Sequence, residues 1–375
     1  MAWSHHHPVH IEFGRGARGA LPDRLPGGRR LFVCSPRGRR QLTEDPDLGG
    51  LTADTNTLWC DDIGSHPSLS QLENAARALH ETRFEAVIAF GGGSVIDSAK
   101  VLNLALATGR AVSDLLTGSP PVAQHTPPLF ALPTTAGTGS EVTPFATVWD
   151  RAARRKRSME AVAAYPTVAI VDPSLTDSLP PASTRDTGLD AINQALESVW
   201  NRNATPLTQA LASRALRAGL EALPRLLKQP TDTRARDQLA ECSLLAGICI
   251  SQTRTALCHS ISYPLTAHYG VPHGLACAFT APRVLQFCLP ADDGRLAELA
   301  QAVTGSDTAA LLERLRTLNA EMGVSEAVRA SVPSWSDLLA LEDQMLAPGR
   351  ADNTLRTPTG PELREVLDQA WAEES

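Results

Sequence analysis

The chain is 375 residues long with 43% hydrophobic and 20% charged residues, an ordinary globular balance and more length than one hydrophobic core usually supports. A net charge of −7, from 34 basic and 41 acidic side chains, supplies no global attraction to nucleic acid or to an anionic membrane surface. Seven cysteines without a CxxC pair fit free thiols in a reducing cytoplasm, and no apolar leader or run near the ~18 residues of a membrane span is visible, so a cytoplasmic protein is expected.

In chain order, Val9–Phe13 alternates and ends in Gly14, Arg29–Cys34 is an apolar run closed by Ser35 and Pro36, and Leu58–Cys60 is a third short run before Asp61. Each predicts a strand. Leu69–Thr82 has helical spacing and feeds a run at Ala86–Phe90, which meets Gly91, Gly92 and Gly93. Ser94 then opens apolar residues at helical spacing to about Thr108. Strand, tight turn and helix together suit a pyrophosphate, with glycines for positive φ and close approach and Ser94 as N-cap, although the same pattern also reads as a glycine-rich turn with no ligand. Pro128–Pro133 predicts another strand. The loop after it, Pro133–Thr143, is dense in hydroxyls and backbone donors suited to phosphate or nicotinamide ribose. With Val168–Asp172, the alternation implies a parallel sheet covered on both faces, with ligands at the carboxyl ends of its strands.

After Pro173 helical periodicity takes over, with Arg185–Trp200, Leu207–Leu227 and Thr233–Ser251 as the strongest segments. Pro180 and Pro181 mark the expected boundary, giving an α/β domain at 1–179 and a nearly all-helical domain at 180–375. Residues 230–236 and the last ~40 are polar enough to predict looser structure. Asp190 and Gln194 are four apart and share a helix face. His259 lies in a helical stretch, and His273 sits between Pro272 and Gly274 as if delivered by a turn. One carboxylate and two imidazoles suit a divalent first-row metal, with Gln194 as a weak fourth ligand or the holder of a metal-bound water. Taken singly, each histidine also reads as a hydrogen-bonded core residue.

Four ordered motifs carry a resemblance: GGGSVIDSAK at 91–100, LPTTAGTGSEVT at 132–143, VDPSLTDSLPPASTRDTGLDA at 171–191 and CHSISYPLTAHYGVPHG at 258–274. Together they resemble the iron-containing (group III) alcohol dehydrogenases. The resemblance implies a Rossmann-like nucleotide domain, a C-terminal all-α metal domain of dehydroquinate synthase-like architecture, and a cleft between them. It implies metal ligands at Asp190, His259 and His273, whereas Gln194 stands where the family has histidine. Tyr263 stands where the family often has a further histidine near the substrate, and a phenol there can relay a proton to the alcohol oxygen. It implies Fe²⁺ or Zn²⁺ as the metal and a homodimer or larger assembly.

HHPVHIEFGRGAR at the start, ALESVWNRNATPLT after Gln194 and TRTALCHSISYPLT around His259 are similar to the phosphonate-metabolism branch, the phosphonoacetaldehyde reductases. Arg254, five residues before His259 and flanked by Thr253 and Thr255, suits a phosphonate dianion, with Asn203 a further candidate for the same end of the substrate. For the cofactor, the resemblance points to Gly92, Gly93, Ser94, Asp97, Thr134, Thr135, Thr138 and Lys156. Many NAD-using relatives carry an acid at the end of the second strand, where this chain has Ser35 followed by Arg37, Arg39 and Arg40; that favours NADPH over NADH. The implied reaction is hydride transfer to an aldehyde whose carbonyl the metal polarises, giving 2-hydroxyethylphosphonate from phosphonoacetaldehyde, or the reverse. The alternatives are a general short-chain alcohol dehydrogenase or aldehyde reductase, a dehydroquinate synthase-type lyase that uses NAD transiently, and a metal-free nucleotide-binding relative.

Overall fold

The computed structural model describes residues 2–64, 67–117, 125–150 and 155–373. The first part of the basic run from Arg151 to Arg157 lies outside the described residues. The chain divides into two compact units, one made of His7–Thr135 and Gly139–Ser178, the other of Leu179–Ser375 with Met1–His6 and Ala136–Thr138.

The first unit is built on a six-stranded sheet of β1 (His10–Phe13), β2 (Arg30–Cys34), β3 (Thr57–Cys60), β4 (Ala86–Gly91), β5 (Leu129–Pro133) and β8 (Val168–Val171). Its order is β1-β8-β5-β4-β2-β3, with every pairing parallel. The helices between the strands are α1 (Leu21–Arg24), α2 (Pro36–Glu44), α3 (Gly49–Thr52), α4 (Leu69–Leu79), α5 (Gly93–Thr108) and α6 (Val112–Thr117). Because successive strand residues point to opposite faces, the central strands feed two cores at once. Leu31, Val33, Val87, Ala89 and Ala131 pack with Leu72 of α4 and Ile96 of α5. Phe32, Cys34, Ile88, Phe90 and Leu132 pack with Leu42 of α2. Strands buried on both sides cannot alternate with polar residues, which is why their sequences read as continuous apolar runs. From β2 the chain runs outward to β3, then returns to β4 and continues to β5, so the strand order reverses between β2 and β4, the usual ligand end of such a sheet.

A two-stranded antiparallel hairpin, β6 (Phe145–Asp150) and β7 (Arg155–Glu160), was not expected from sequence. Only every second residue of β6 is buried, and β7 is polar, so neither reads as a core strand.

The second unit comprises α7 (Pro181–Val199), α8 (Pro206–Lys228), α9 (Thr233–Thr253), α10 (Leu257–Tyr269), α11 (His273–Cys288), α12 (Arg295–Thr304), α13 (Thr308–Glu321), α14 (Val324–Ser331), α15 (Trp335–Leu339), α16 (Glu342–Met345) and α17 (Gly360–Ala372). Helix α7 is its centre, packed by α8, α9 and α11 and buried almost all round from Gly188 to Val199. Two expectations of loose structure are corrected. Asp232 caps α9 by accepting from Ala235 N–H, and Arg236 is buried, donating to Thr184 Oγ1 and to the Pro230 and Leu179 carbonyls. At the C-terminus, Leu363, Val366, Leu367 and Ala370 of α17 join the main core, because one apolar stripe suffices to seat an otherwise polar helix.

Candidate metal centre and nucleotide loops

The start of α11 is pressed onto the backbone of α7. A β-carbon on Gly274 would stand 1.8 Å from the Asp186 carbonyl oxygen, and Gly274 N–H donates to Asp186 Oδ1 at 2.7 Å. This contact sets His273, the first residue of α11, beside Asp190 of α7, with Nε2 to Oδ1 at 3.9 Å. From α10, His259 Nε2 reaches Asp190 Oδ1 at 3.2 Å. Burial and the Asp190 charge push the Asp186 carboxyl up to about 6, against the lowering effect of the Gly274 and Leu275 N–H groups.

Behind His259 stands Glu197, fully buried on α7, which sequence reading overlooked. Glu197 Oε2 lies 2.7 Å from His259 Nδ1 and accepts from Ala256 N–H at 2.7 Å, while Oε1 accepts from His259 N–H at 3.1 Å. That arrangement makes Nδ1 the donor and leaves the Nε2 lone pair facing the Asp190 carboxylate. Two acceptors aimed at each other need a proton or a cation between them. Burial alone would lower the His259 pKa, but Cys277, Glu197 and Asp190 raise it well above an ordinary imidazole, which marks a place for positive charge.

Cys277, one turn after His273 on α11, was also missed. Donor atoms of Asp190, His259, His273 and Cys277 all lie within 4.8 Å of one another. Gln194 is buried one turn along α7 from Asp190, and its Oε1 has no hydrogen-bond partner, the condition of an acceptor waiting for a ligand. This donor set fits a divalent ion. Both missed residues carried a signal: Glu197 follows Gln194 by three and Cys277 follows His273 by four, helical neighbour spacings.

Tyr263 stacks on the His273 ring, 5.6 Å between centroids and 9° between planes, and the Arg350 guanidinium lies 4.8 Å from the Tyr263 ring centre. No sequence signal marks Arg350, which comes from a distant turn. Arg254 is exposed and holds φ +63°, the one non-glycine positive φ among the described residues. Asn201 Nδ2 and Thr253 Oγ1 both donate to its carbonyl, at 3.3 and 2.9 Å. Thr253 is fully buried and Asn203 Nδ2 donates to its carbonyl at 3.4 Å, so both residues brace the Arg254 backbone.

In the first unit, Gly92, Gly93, Ser94, Asp97, Thr134 and Thr135 gather at the ends of β4 and β5. Thr134 N–H donates to the Gly91 carbonyl at 3.0 Å, and a β-carbon on Gly92 would stand 3.0 Å from Thr135 Oγ1. Two local expectations are corrected here. The N-cap of α5 is Gly92, with Ser94 inside the first turn. None of Gly91, Gly92 and Gly93 has positive φ. Room decides at Gly91 and Gly92, since a β-carbon on Gly91 would stand 2.6 Å from the Val95 side chain.

Asp97 accepts from Ser140 Oγ and from Thr147 N–H at 2.8 Å, so its carboxylate ties the loop after β5 to β6. Beside it Lys100 is buried and donates to Ser140 Oγ, Thr143 Oγ1 and the Phe145 carbonyl at 2.9, 3.3 and 2.7 Å. Desolvation lowers the Lys100 ammonium to about 8 despite Asp97 and Glu141, and raises the buried Glu141 carboxyl to about 7. Lys156 on β7 lies 5.1 Å from the Trp149 ring centre and near enough to Asp97 to help hold its charge. Thr138 groups with the helical unit. Ser35 caps α2, accepting from Gly38 N–H at 3.0 Å. Of the arginines after it, Arg39 is paired with Asp61 and stacked on Trp59, and Arg37 donates to Ser178. Cys34, Cys60, Cys242, Cys249, Cys258, Cys277 and Cys288 are all buried free thiols.

Residues 8–173 match the family described as "Iron-containing alcohol dehydrogenase", and residues 184–368 match "Fe-containing alcohol dehydrogenase family, C-terminal". Among curated proteins, the chain is 34% identical over 331 residues to "Probable alcohol dehydrogenase EutG" of Escherichia coli (strain K12), covering 84% of this chain and 82% of that one. It is 36% identical over 226 residues to "Phosphonoacetaldehyde reductase" of Streptomyces viridochromogenes, covering 58% and 57%. Among solved structures, sulfoacetaldehyde reductase from Bifidobacterium kashiwanohense in complex with NAD+ superposes with a TM-score of 0.90 at 27% identity, covering all of both chains.

Proposed function

The chain belongs to the iron-containing alcohol dehydrogenase family, and on that premise we propose that it is a metal-dependent, nicotinamide-linked reductase of a two-carbon aldehyde with a tetrahedral anionic head, phosphonoacetaldehyde first among them. The observation that carries the reaction class is the convergence of Asp190 Oδ1, His259 Nε2 and His273 Nε2, with Glu197 fixing the His259 tautomer. Asp190, His259 and His273 are the proposed metal ligands, with Gln194 as a fourth or as the holder of a water. A divalent ion held by these residues would supply Lewis-acid chemistry for an aldehyde oxygen. Tyr263, stacked on His273, supplies a phenol that can pass a proton to the product oxygen. Gly92, Gly93, Ser94, Thr134 and Thr135 are the proposed phosphate and nicotinamide contacts, with Asp97 and Lys100 holding the second loop in shape.

The anionic head rests on Arg254. A non-glycine residue at φ +63° is costly, and a backbone strain kept in place by Asn201 and Thr253 five residues before a metal ligand is the kind found at ligand clamps. Two relatives act, by their names, on a phosphonate and a sulfonate aldehyde, which supports the same reading. The preference for NADPH rests on the missing acid at Ser35 and on Arg37 and Arg40, since Arg39 is already neutralised by Asp61.

The test is oxidation of NADPH and NADH by the Zn²⁺- or Fe²⁺-loaded protein with phosphonoacetaldehyde, sulfoacetaldehyde, acetaldehyde and butyraldehyde. The proposal expects at least a hundredfold preference for the anionic aldehydes in kcat/KM, about 2.7 kcal/mol of discrimination, removed by Arg254→Ala. Equal rates with the plain aldehydes would leave a general alcohol dehydrogenase and retire the role of Arg254.

A further inference from the structure

We infer that the cation of this site is bound by Asp190, His259, His273 and the sulfur of Cys277, and that Gln194 stays outside the ligand set as an acceptor for water or alcohol. The inference rests on the metal reading above and goes further by naming the fourth ligand and, through it, the class of metal.

Cys277 follows His273 by one turn of α11, so both side chains leave the helix on the same side. Its Sγ lies 4.0 Å from each ring nitrogen of His273. Adjacent donors of a tetrahedral ion with bonds of about 2.0 to 2.3 Å stand roughly 3.3 to 3.8 Å apart. A set already within 4.8 Å closes onto an ion by shifts on the order of half an ångström per donor. Among the described residues no other His, Cys, Asp and Glu side chains converge in this way. Cys277 is completely buried, so its convergence on the site is not that of a mobile surface thiol.

The chemistry separates the two candidates for the fourth place. An amide oxygen is a neutral, hard, weak ligand, whereas a cysteine sulfur binds as thiolate, its proton passing to solvent as the metal–sulfur bond forms. Two imidazoles, one carboxylate and one thiolate favour zinc over magnesium or manganese, and the affinity order places zinc above ferrous iron as well. With Cys277 bound, the unpartnered Gln194 Oε1 is left to accept a hydrogen bond from a hydroxyl. This chain would then replace a family histidine by moving the fourth donor from α7 to α11.

The experiment is anaerobic Co²⁺ titration of chelator-stripped protein, followed by ultraviolet absorption, beside Zn²⁺ affinity by competition with a chromophoric chelator. The wild type should bind one Co²⁺ with a sulfur-to-cobalt charge-transfer band. Cys277→Ser and Cys277→Ala should lose that band and more than about a hundredfold in Zn²⁺ affinity, beyond what outer-shell changes produce. Gln194→Ala should keep the band and stay within about tenfold in affinity. Stoichiometric Co²⁺ without the band leaves the metal reading standing and overturns the role of Cys277, as does loss of the band in Gln194→Ala. No binding of either ion overturns both. Should the Cys277 variants not fold, X-ray absorption at the zinc edge of the wild type decides: the inference requires a sulfur scatterer at about 2.3 Å, and a shell of nitrogen and oxygen alone overturns it.

Discussion

Gly274 has no room for a side chain because the carbonyl oxygen of Asp186 occupies the space where its β-carbon would be, 1.8 Å away. The contact is between two backbones, so no rotamer change relieves it. Gly274→Ala is therefore expected to separate α11 from α7, to destabilise the protein by about 3 kcal/mol or more, and to carry His273 away from Asp190. Thermal denaturation and metal content measure the two effects. A variant with wild-type melting and metal binding would show that the junction yields easily.

Glu197 holds His259 by its ring and its backbone. Glu197→Gln keeps the size but replaces a carboxylate by a neutral amide facing Nδ1. On the proposed metal reading, affinity should fall roughly 10- to 100-fold with little change in fold. Glu197→Ala should be worse in stability too, because the Ala256 and His259 N–H groups then lose their acceptor in a buried place.

On the proposed anion-binding role, Arg254 sets stability against function. Arg254→Gly relieves the φ +63° conformation and should stabilise the fold by about 1 kcal/mol while lowering kcat/KM toward anionic aldehydes. Denaturant melts and steady-state rates on the same preparation check both halves. A variant that loses stability would mean that guanidinium contacts outweigh the backbone strain.

Glu141 makes stability depend on pH. Its folded carboxyl titrates at about 7 against an ordinary 4.5, so between those values the folded state holds a proton that the unfolded state has released. The contribution of Glu141 is full below 4.5 and is lost as pH rises through 7. Glu141→Gln should match the wild type near pH 4.5 and exceed it above pH 7, as read from denaturant melts across that range. Lys100, held at about 8 instead of 10.5, gives the opposite slope at higher pH, with stability rising between 8 and 10.5.

What the sequence by itself determined was local. The apolar runs, the glycine turn at the end of β4, the helical periods of α7, α8 and α9 and the sharing of a face by Asp190 and Gln194 follow from spacing along one element. Strands buried on both faces and helices with one apolar stripe announce themselves because burial selects residues one by one. What only the tertiary structure decided lies between elements. Three consecutive glycines predict positive φ, but the crowding that explains Gly91 and Gly92 comes from Val95 and Thr135. The resemblance implies that Asp97 contacts the cofactor, and its geometry depends on Ser140 and Thr147, some 40 to 50 residues on. Glu197 and Cys277 carried helical spacings, but a spacing says only that two side chains share a face. Which face meets the proposed metal site depends on how α7, α10 and α11 pack, and on the absence of one methyl group at Gly274.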